Sequence, residues 1–293
     1  MVSLFRAAIV ACACVVVAAC GRREDTAPPV ASIAVSLNTQ RAEAGAPLVV
    51  TYTFNVPAGG AALPADQWVF VHALDDSNEL LWTDDHAPAT PSQDWRAGTP
   101  VTYTRTMFVP RNTPPGRVRL EAGVFSRSSG SRLPLAGQDR GMRAYEVASV
   151  TVATVTNPVV ASDGWFDAES GEAPGREWRW SRGEGHLSFA APRMPATLYL
   201  QLDQPVASLP ASQAVEVRGP SGVLATFTVP AGAPQVVKVP LSPDQLGPGE
   251  RADVTVKVDS TFVPAATPQL KSTDTRELGI RLLNAFVEAK GAS

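Results

Sequence analysis

The chain has 293 residues, with 25 Lys and Arg against 28 Asp and Glu and a formal net charge of -3. A balance this even, with no basic cluster, lacks the electrostatic footprint of a nucleic-acid binder. Two of the three cysteines, Cys12 and Cys14, sit in an apolar N-terminal run, so a disulfide-stapled fold is excluded and stability must come from ordinary burial, for which the length is ample.

Met1 to Arg6 is a short segment with one positive charge, and Ala7 to Ala19 is unbroken apolar sequence. That run is too short for a helix crossing a hydrocarbon core, which needs about 20 residues, so residues 1–19 read as a cleaved signal peptide. Val17-Ala18-Ala19-Cys20 resembles the lipobox of bacterial lipoproteins. The resemblance implies that Cys20 becomes the mature N-terminus, carrying diacylglycerol and an acyl chain such as palmitate, and anchors the protein to a membrane of the cell envelope. Gly21 stands where an Asp would imply inner-membrane retention, so the outer membrane is expected where the organism has one. Residues 20–31 form the lipidated cysteine and its tether, a polar, Pro-bearing stretch able to span up to roughly 35–40 Å.

Beyond the tether, Gly and Pro are spread evenly and separate short runs of Val, Leu, Thr, Tyr and Phe. This predicts an all-β fold of two tandem antiparallel β-sandwiches. The first, residues 32–155, has strands over Ile33–Leu37, Leu48–Phe54, Trp68–Leu74, Leu80–Thr83, Val101–Val109, Val118–Phe125 and Val147–Val155, with a hairpin turn at Asp75–Glu79. Seven strands at this spacing suit an immunoglobulin-like sandwich. Trp68-Val69-Phe70-Val71-His72, Asp84-Asp85-His86, Trp95-Arg96-Ala97-Gly98, Pro114-Pro115-Gly116 and Leu120-Glu121-Ala122-Gly123-Val124-Phe125 resemble, in that order, β-sandwich domains of bacterial envelope proteins, also found appended to membrane glycosyltransferases.

Asn157-Pro158 marks a linker, residues 156–162, and the second block covers 163–288. Its strands are expected at Arg176–Trp180, His186–Phe189, Thr197–Leu202, Ala214–Arg218, Leu224–Val229, Val236–Leu241 and Ala252–Val258, with a final strand after Ile280. Gly164-Trp165, Glu169, Arg179-Trp180, Phe262-Val263-Pro264 and Arg276-Glu277-Leu278-Gly279 are similar to galactose-binding-like jelly rolls. That resemblance implies a carbohydrate-binding-module-like domain, a class that includes both glycan binders and scaffolds. With few apolar residues in the linker, the two blocks are expected to have separate cores.

Three groups of side chains invite a chemical reading. His72, Asp84, Asp85 and His86 lie where a hairpin brings strand ends together, and two imidazoles with a carboxylate suit zinc. No metalloenzyme spacing supports it, so His72, Asp84 and His86 are expected to be structural and no metal is assigned. Oxygen-rich turns at Asp75, Asp76, Asn78 and Glu79, and at Asp163, Asp167 and Glu169, invite a structural calcium. Neither supplies six ligands within one loop, so no cofactor is expected.

Trp178 and Trp180 are two apart on a strand and share a face. Polar Glu177, Arg179 and Ser181 alternate with them, which predicts core packing, with a sugar-stacking platform as the alternative. Trp165, beside the Gly164 turn, is the better contact candidate. The ligand-binding set is therefore Trp165, Glu169, Trp178 and Arg276, with a salt bridge as the competing role for Asp274, Arg276 and Glu277. No nucleophile elbow, phosphate loop or nucleophilic cysteine is present, so no enzyme is expected. The expected function is an envelope-anchored, non-catalytic binding module for polysaccharide. The alternative is a protein–protein scaffold or accessory subunit of an envelope or polysaccharide-export assembly.

Overall fold

The computed structural model describes residues 27–205 and 212–289. The signal peptide, Cys20 and most of the tether lie outside the described residues. No described helix is long and apolar enough to cross a membrane.

The first half contains β1 (Ala31–Leu37), β2 (Arg41–Glu43), β3 (Pro47–Asn55), β4 (Gln67–Leu74), β5 (Leu80–Thr83), β6 (Val101–Phe108), β7 (Gly116–Ser126), β8 (Leu135–Ala136) and β9 (Tyr145–Ala153). They form two sheets, ordered β6-β3-β1-β8 and β2-β9-β7-β4-β5. Strand β3 shows why the chain folds this way. Leu48, Val50, Tyr52 and Phe54 are fully buried, while the intervening Thr51 and Thr53 meet Thr104 and Thr102 of β6 across the outer face, hydroxyl to hydroxyl at 3.1 and 3.2 Å. Period-2 alternation thus sets both the core face and the cross-strand pairs. The Asp75–Glu79 hairpin forms as expected, because Asp75 Oδ1 accepts the backbone N–H groups of Ser77 and Glu79, each at 2.8 Å.

The second half contains β10 (Val160–Ala161), β11 (Glu169–Ser170), β12 (Glu177–Trp180), β13 (Glu184–Ala190), β14 (Ala196–Asp203), β15 (Ser212–Gly219), β16 (Gly222–Pro230), β17 (Gln235–Leu241), β18 (Arg251–Val258) and β19 (Arg281–Ala289). Its sheets are ordered β10-β13-β18-β15-β16 and β11-β12-β19-β14-β17. A single helical turn, α1 (Pro243–Leu246), is fixed by a capping box between Ser242 and Gln245 and by Pro at its start. Among the described strands all pairings are antiparallel except β1 with β8 and β2 with β9.

Burial separates into two apolar clusters, one built from Ala31 to Val152 and one from Val159 to Val287. The halves nevertheless touch. Phe286 of β19 packs on the first cluster, and the Arg111 guanidinium donates to the Ala285 carbonyl at 2.9 Å. Gly175 lies so close to Pro110 and Trp82 that a Cβ there would fall 2.6 Å from Pro110 Cγ. At the linker, Thr156 donates twice to Glu43, and Asn157 exchanges two hydrogen bonds with the Ala190 backbone.

Candidate functional site

The histidines of the first half do not converge. His72 follows Trp68 and Phe70 on the outward set of β4, whereas Val69, Val71 and Ala73 face the core. His86 bridges to Val69 and is 4% exposed, its ring set among Tyr52 and Tyr103 of the opposite sheet at 5.1 and 5.7 Å. The two imidazoles therefore sit on opposite faces of one sheet. Asp84 is held by Arg105 through two bonds of 2.9 and 3.1 Å, and Asp85 accepts the Val71 N–H. No group of three or more potential metal ligands gathers among the described residues.

His86 instead completes a buried polar chain. Its Nδ1 lies 2.8 Å from the Asp84 carbonyl, an acceptor only, so Nδ1 carries the proton. Nε2 then accepts the Tyr103 hydroxyl, also at 2.8 Å. Burial, reinforced by the Arg105 charge, pushes the imidazole down to about 4. The unfolded chain takes up this proton near 6.5 and the native state only near 4, so stability falls as pH drops through that window and levels below it. The expected loss is about 3 kcal/mol. Urea midpoints at pH 7 and pH 4.5 should differ more in the wild type than in His86→Gln; equal differences would mean that native His86 is already protonated at pH 4.5.

In the second half, three of the four candidate ligand residues do come together. β11 and β12 pair Glu169 with Trp178, and the carboxylate accepts the indole N–H at 3.1 Å. The other carboxylate oxygen accepts Arg276 Nη2 at 2.9 Å. Asp274 holds the same guanidinium through Nε and Nη2, at 2.7 to 3.1 Å, which lowers the Asp274 carboxyl and raises Arg276. The competing salt-bridge role is thus real, yet it leaves Arg276 Nη1 without a bond to any described residue. Both side chains remain about one-third exposed, at 37% for Arg276 and 33% for Glu169.

The cluster continues through stacked cations. Arg276 and Arg182 lie 5.0 and 4.6 Å from the Phe166 ring centre. Arg182 in turn lines a shallow cleft of about 480 Å³ with Asp163, Glu184, His186 and Lys257. Gly164 is required there: its φ is +81°, and a Cβ would fall 2.1 Å from the Glu184 carbonyl oxygen. The Asp163, Asp167 and Glu169 oxygens do not form a cation shell, since Glu169 is engaged by Trp178 and Arg276.

The tryptophans depart from expectation in what covers them. Trp180 is buried, but outside the apolar cluster; it is packed edge-on against Phe262 at 5.7 Å and beneath Arg281 at 5.6 Å. The same Arg281 stacks on half-buried Trp178 at 4.7 Å, and Gly171 crowds the far edge of that ring. Trp165 does not join the cluster. Its ring lies flat on Gly185, where a Cβ would fall 2.5 Å from Cε2, and its N–H goes to the His186 carbonyl at 3.1 Å. Sequence reasoning missed Phe166, Arg182 and Arg281. An arginine two residues past a tryptophan strand, and another opening the last strand, were the only signals.

No protein-family model and no curated protein matches this chain. Similar solved structures include a carbohydrate-binding module of the β-sandwich superfamily, at 12% identity and a TM-score of 0.24, covering 88% of this chain and 98% of that one. Another is the native conformation of E. coli alpha-2-macroglobulin, at 12% identity and a TM-score of 0.27, covering 88% of this chain but 14% of that one. A third is BuGH86 in complex with neoagarooctaose, at 9% identity and a TM-score of 0.24, covering 88% and 33%. Superpositions this loose say nothing about what this chain binds.

Proposed function

We propose that the second sandwich is a non-catalytic carbohydrate-binding module for an envelope polysaccharide, and that lipid on Cys20 tethers the chain to the envelope. The observation that carries this reading is Arg276. Its guanidinium is fixed by Asp274 and Glu169, stacked on Phe166, one-third exposed, and still has an unspent Nη1. A planar donor pre-set beside a carboxylate and an indole edge suits the vicinal hydroxyls of a sugar, and little side-chain ordering remains to be done on binding. Recognition here is by polar contact along the strip from Arg182 to Glu169, not by stacking on a free indole face.

One observation favours the scaffold reading instead. Each of Trp165, Trp178 and Trp180 has a ring face covered by the protein itself. The two readings separate in a titration of the intact protein with polysaccharide from its own envelope. Arg276→Gln should weaken binding at least about tenfold, the loss of one charge-assisted contact of roughly 1.5–3 kcal/mol, with the melting temperature little changed. Wild-type binding that survives both Arg276→Gln and Arg182→Ala would move the site elsewhere. Absence of wild-type binding would favour a protein partner.

A further inference from the structure

From the first half's remaining surface we infer a lipid-docking loop, residues 127–144, that seats the first sandwich on an anionic membrane. The loop folds back over the outer face of the β4–β7 pair. Leu133 N–H bonds Val124 O at 2.8 Å, and the Arg132 guanidinium covers the Phe70 ring at 4.1 Å. Gly123 allows the approach, since a Cβ there would fall 2.5 Å from Phe70 and 2.7 Å from the Arg143 carbonyl. The loop thus rests on a firm base, and its tip is turned outward. Met142 and Arg143 both adopt left-handed backbone, with φ of 56° and 57°, and Met142 is 84% exposed. The next most exposed large apolar residue among those described, Val223, is at 51%.

Three features point to one occupant, a phospholipid surface. First, the tip carries an apolar side chain flanked by Arg140 and Arg143, with Arg132 behind it. Among the described residues Asp139 and Glu146 are carboxylates close by; Arg140 pairs with Glu146, Arg143 donates to the Arg132 carbonyl, and Arg132 donates to the Met142 carbonyl. Second, Arg132, Arg140, Met142 and Arg143 border an open cavity of about 1260 Å³ that Ala27 and Pro29 also line. Third, the tether enters there: Val30 N–H bonds Pro134 O at 2.9 Å, and β1 runs beside β8. From Cys20 to Ala27 the chain can reach at most about 25 Å, so a lipid on Cys20 keeps this loop close to the headgroups. This inference rests on the lipid-anchor reading. An apolar tip among arginines inserts weakly alone, but tethering raises its effective concentration at the surface.

The test uses the full chain with Met142→Cys bearing an environment-sensitive fluorophore, and Val223→Cys as control. Vesicles of neutral phosphatidylcholine are compared with vesicles containing about 30% phosphatidylglycerol. Emission from position 142 should rise about twofold with the anionic vesicles and much less with the neutral ones, while position 223 stays unchanged. Emission at 142 that stays at its aqueous level with anionic vesicles overturns the loop. The anchor is judged separately, by intact mass at Cys20 and by flotation with neutral vesicles. An unlipidated chain whose position 142 still responds to added anionic vesicles would uphold the loop and reject the anchor.

Discussion

Replacing Arg281 by alanine is expected to cost the second sandwich about 3–5 kcal/mol. Asp203 is 1% exposed, and the Arg281 guanidinium grips both of its oxygens at 2.6 Å. The pair sits opposite one another on β14 and β19, and Trp180 of β12 is the third member of the row. Alanine would leave a buried carboxylate without a partner and would uncover Trp178 and Trp180, which the guanidinium stacks upon. The ion pair itself is a weak stabiliser, because desolvating both charges offsets most of their attraction. The double variant Asp203→Leu with Arg281→Met should therefore recover most of the loss. Chemical denaturation of both variants decides it: an Arg281→Ala loss below about 1 kcal/mol would mean that water reaches Asp203.

Trp95→Ala should be comparably severe in the first sandwich. Trp95 follows the short 3-10 turn Ser92–Asp94, is 1% exposed, and packs on Phe54 at 4.6 Å. Its N–H is satisfied by the Thr90 carbonyl at 2.8 Å, so the loop from β5 to β6 is closed by one residue that fills the sandwich end. The cavity left by alanine is expected to cost about 3–5 kcal/mol. Trp95→Phe keeps most of the volume and gives up the hydrogen bond, at about 1–2 kcal/mol. Urea unfolding followed in each half will also show how far Phe286 and Arg111 couple the two. A Trp95→Ala shift confined to the first half would make those contacts a hinge, whereas a shared shift would make them a joint.

Strand placement was legible in the sequence because alternation is local. Leu48 to Phe54, Trp68 to Leu74 and Ala252 to Val258 each show their buried face by parity, and Asp75 marks its own turn through side-chain bonds only two and four residues away. The same parity placed Trp178 and Trp180 on one face, whereas Glu169 and Arg276 were singled out as polar ligand candidates within the segments that resemble a jelly roll.

What covers that face was decided only by the tertiary structure. Alternation says which side chains share a side of a sheet, but not whether an apolar layer, a cation or solvent lies above it. Trp180 is buried by Arg281 and Phe262, and neither lies within 80 residues of it in the chain. The pairing of β12 with β19 sets Arg281 opposite Trp180, and a bridge from Phe262 to Leu278 holds Phe262 nearby; sequence alone gives neither pairing. Likewise, His72 and His86 looked like neighbours across a hairpin, yet the bridge from His86 to Val69 puts one imidazole inside and the other outside. Trp165 beside a glycine turn read as the better ligand contact, but Gly185 of β13 is the surface its ring lies on. Local chemistry fixed the strands and turns of this protein; long-range pairing, which no short window of sequence encodes, fixed the company its arginines and indoles keep.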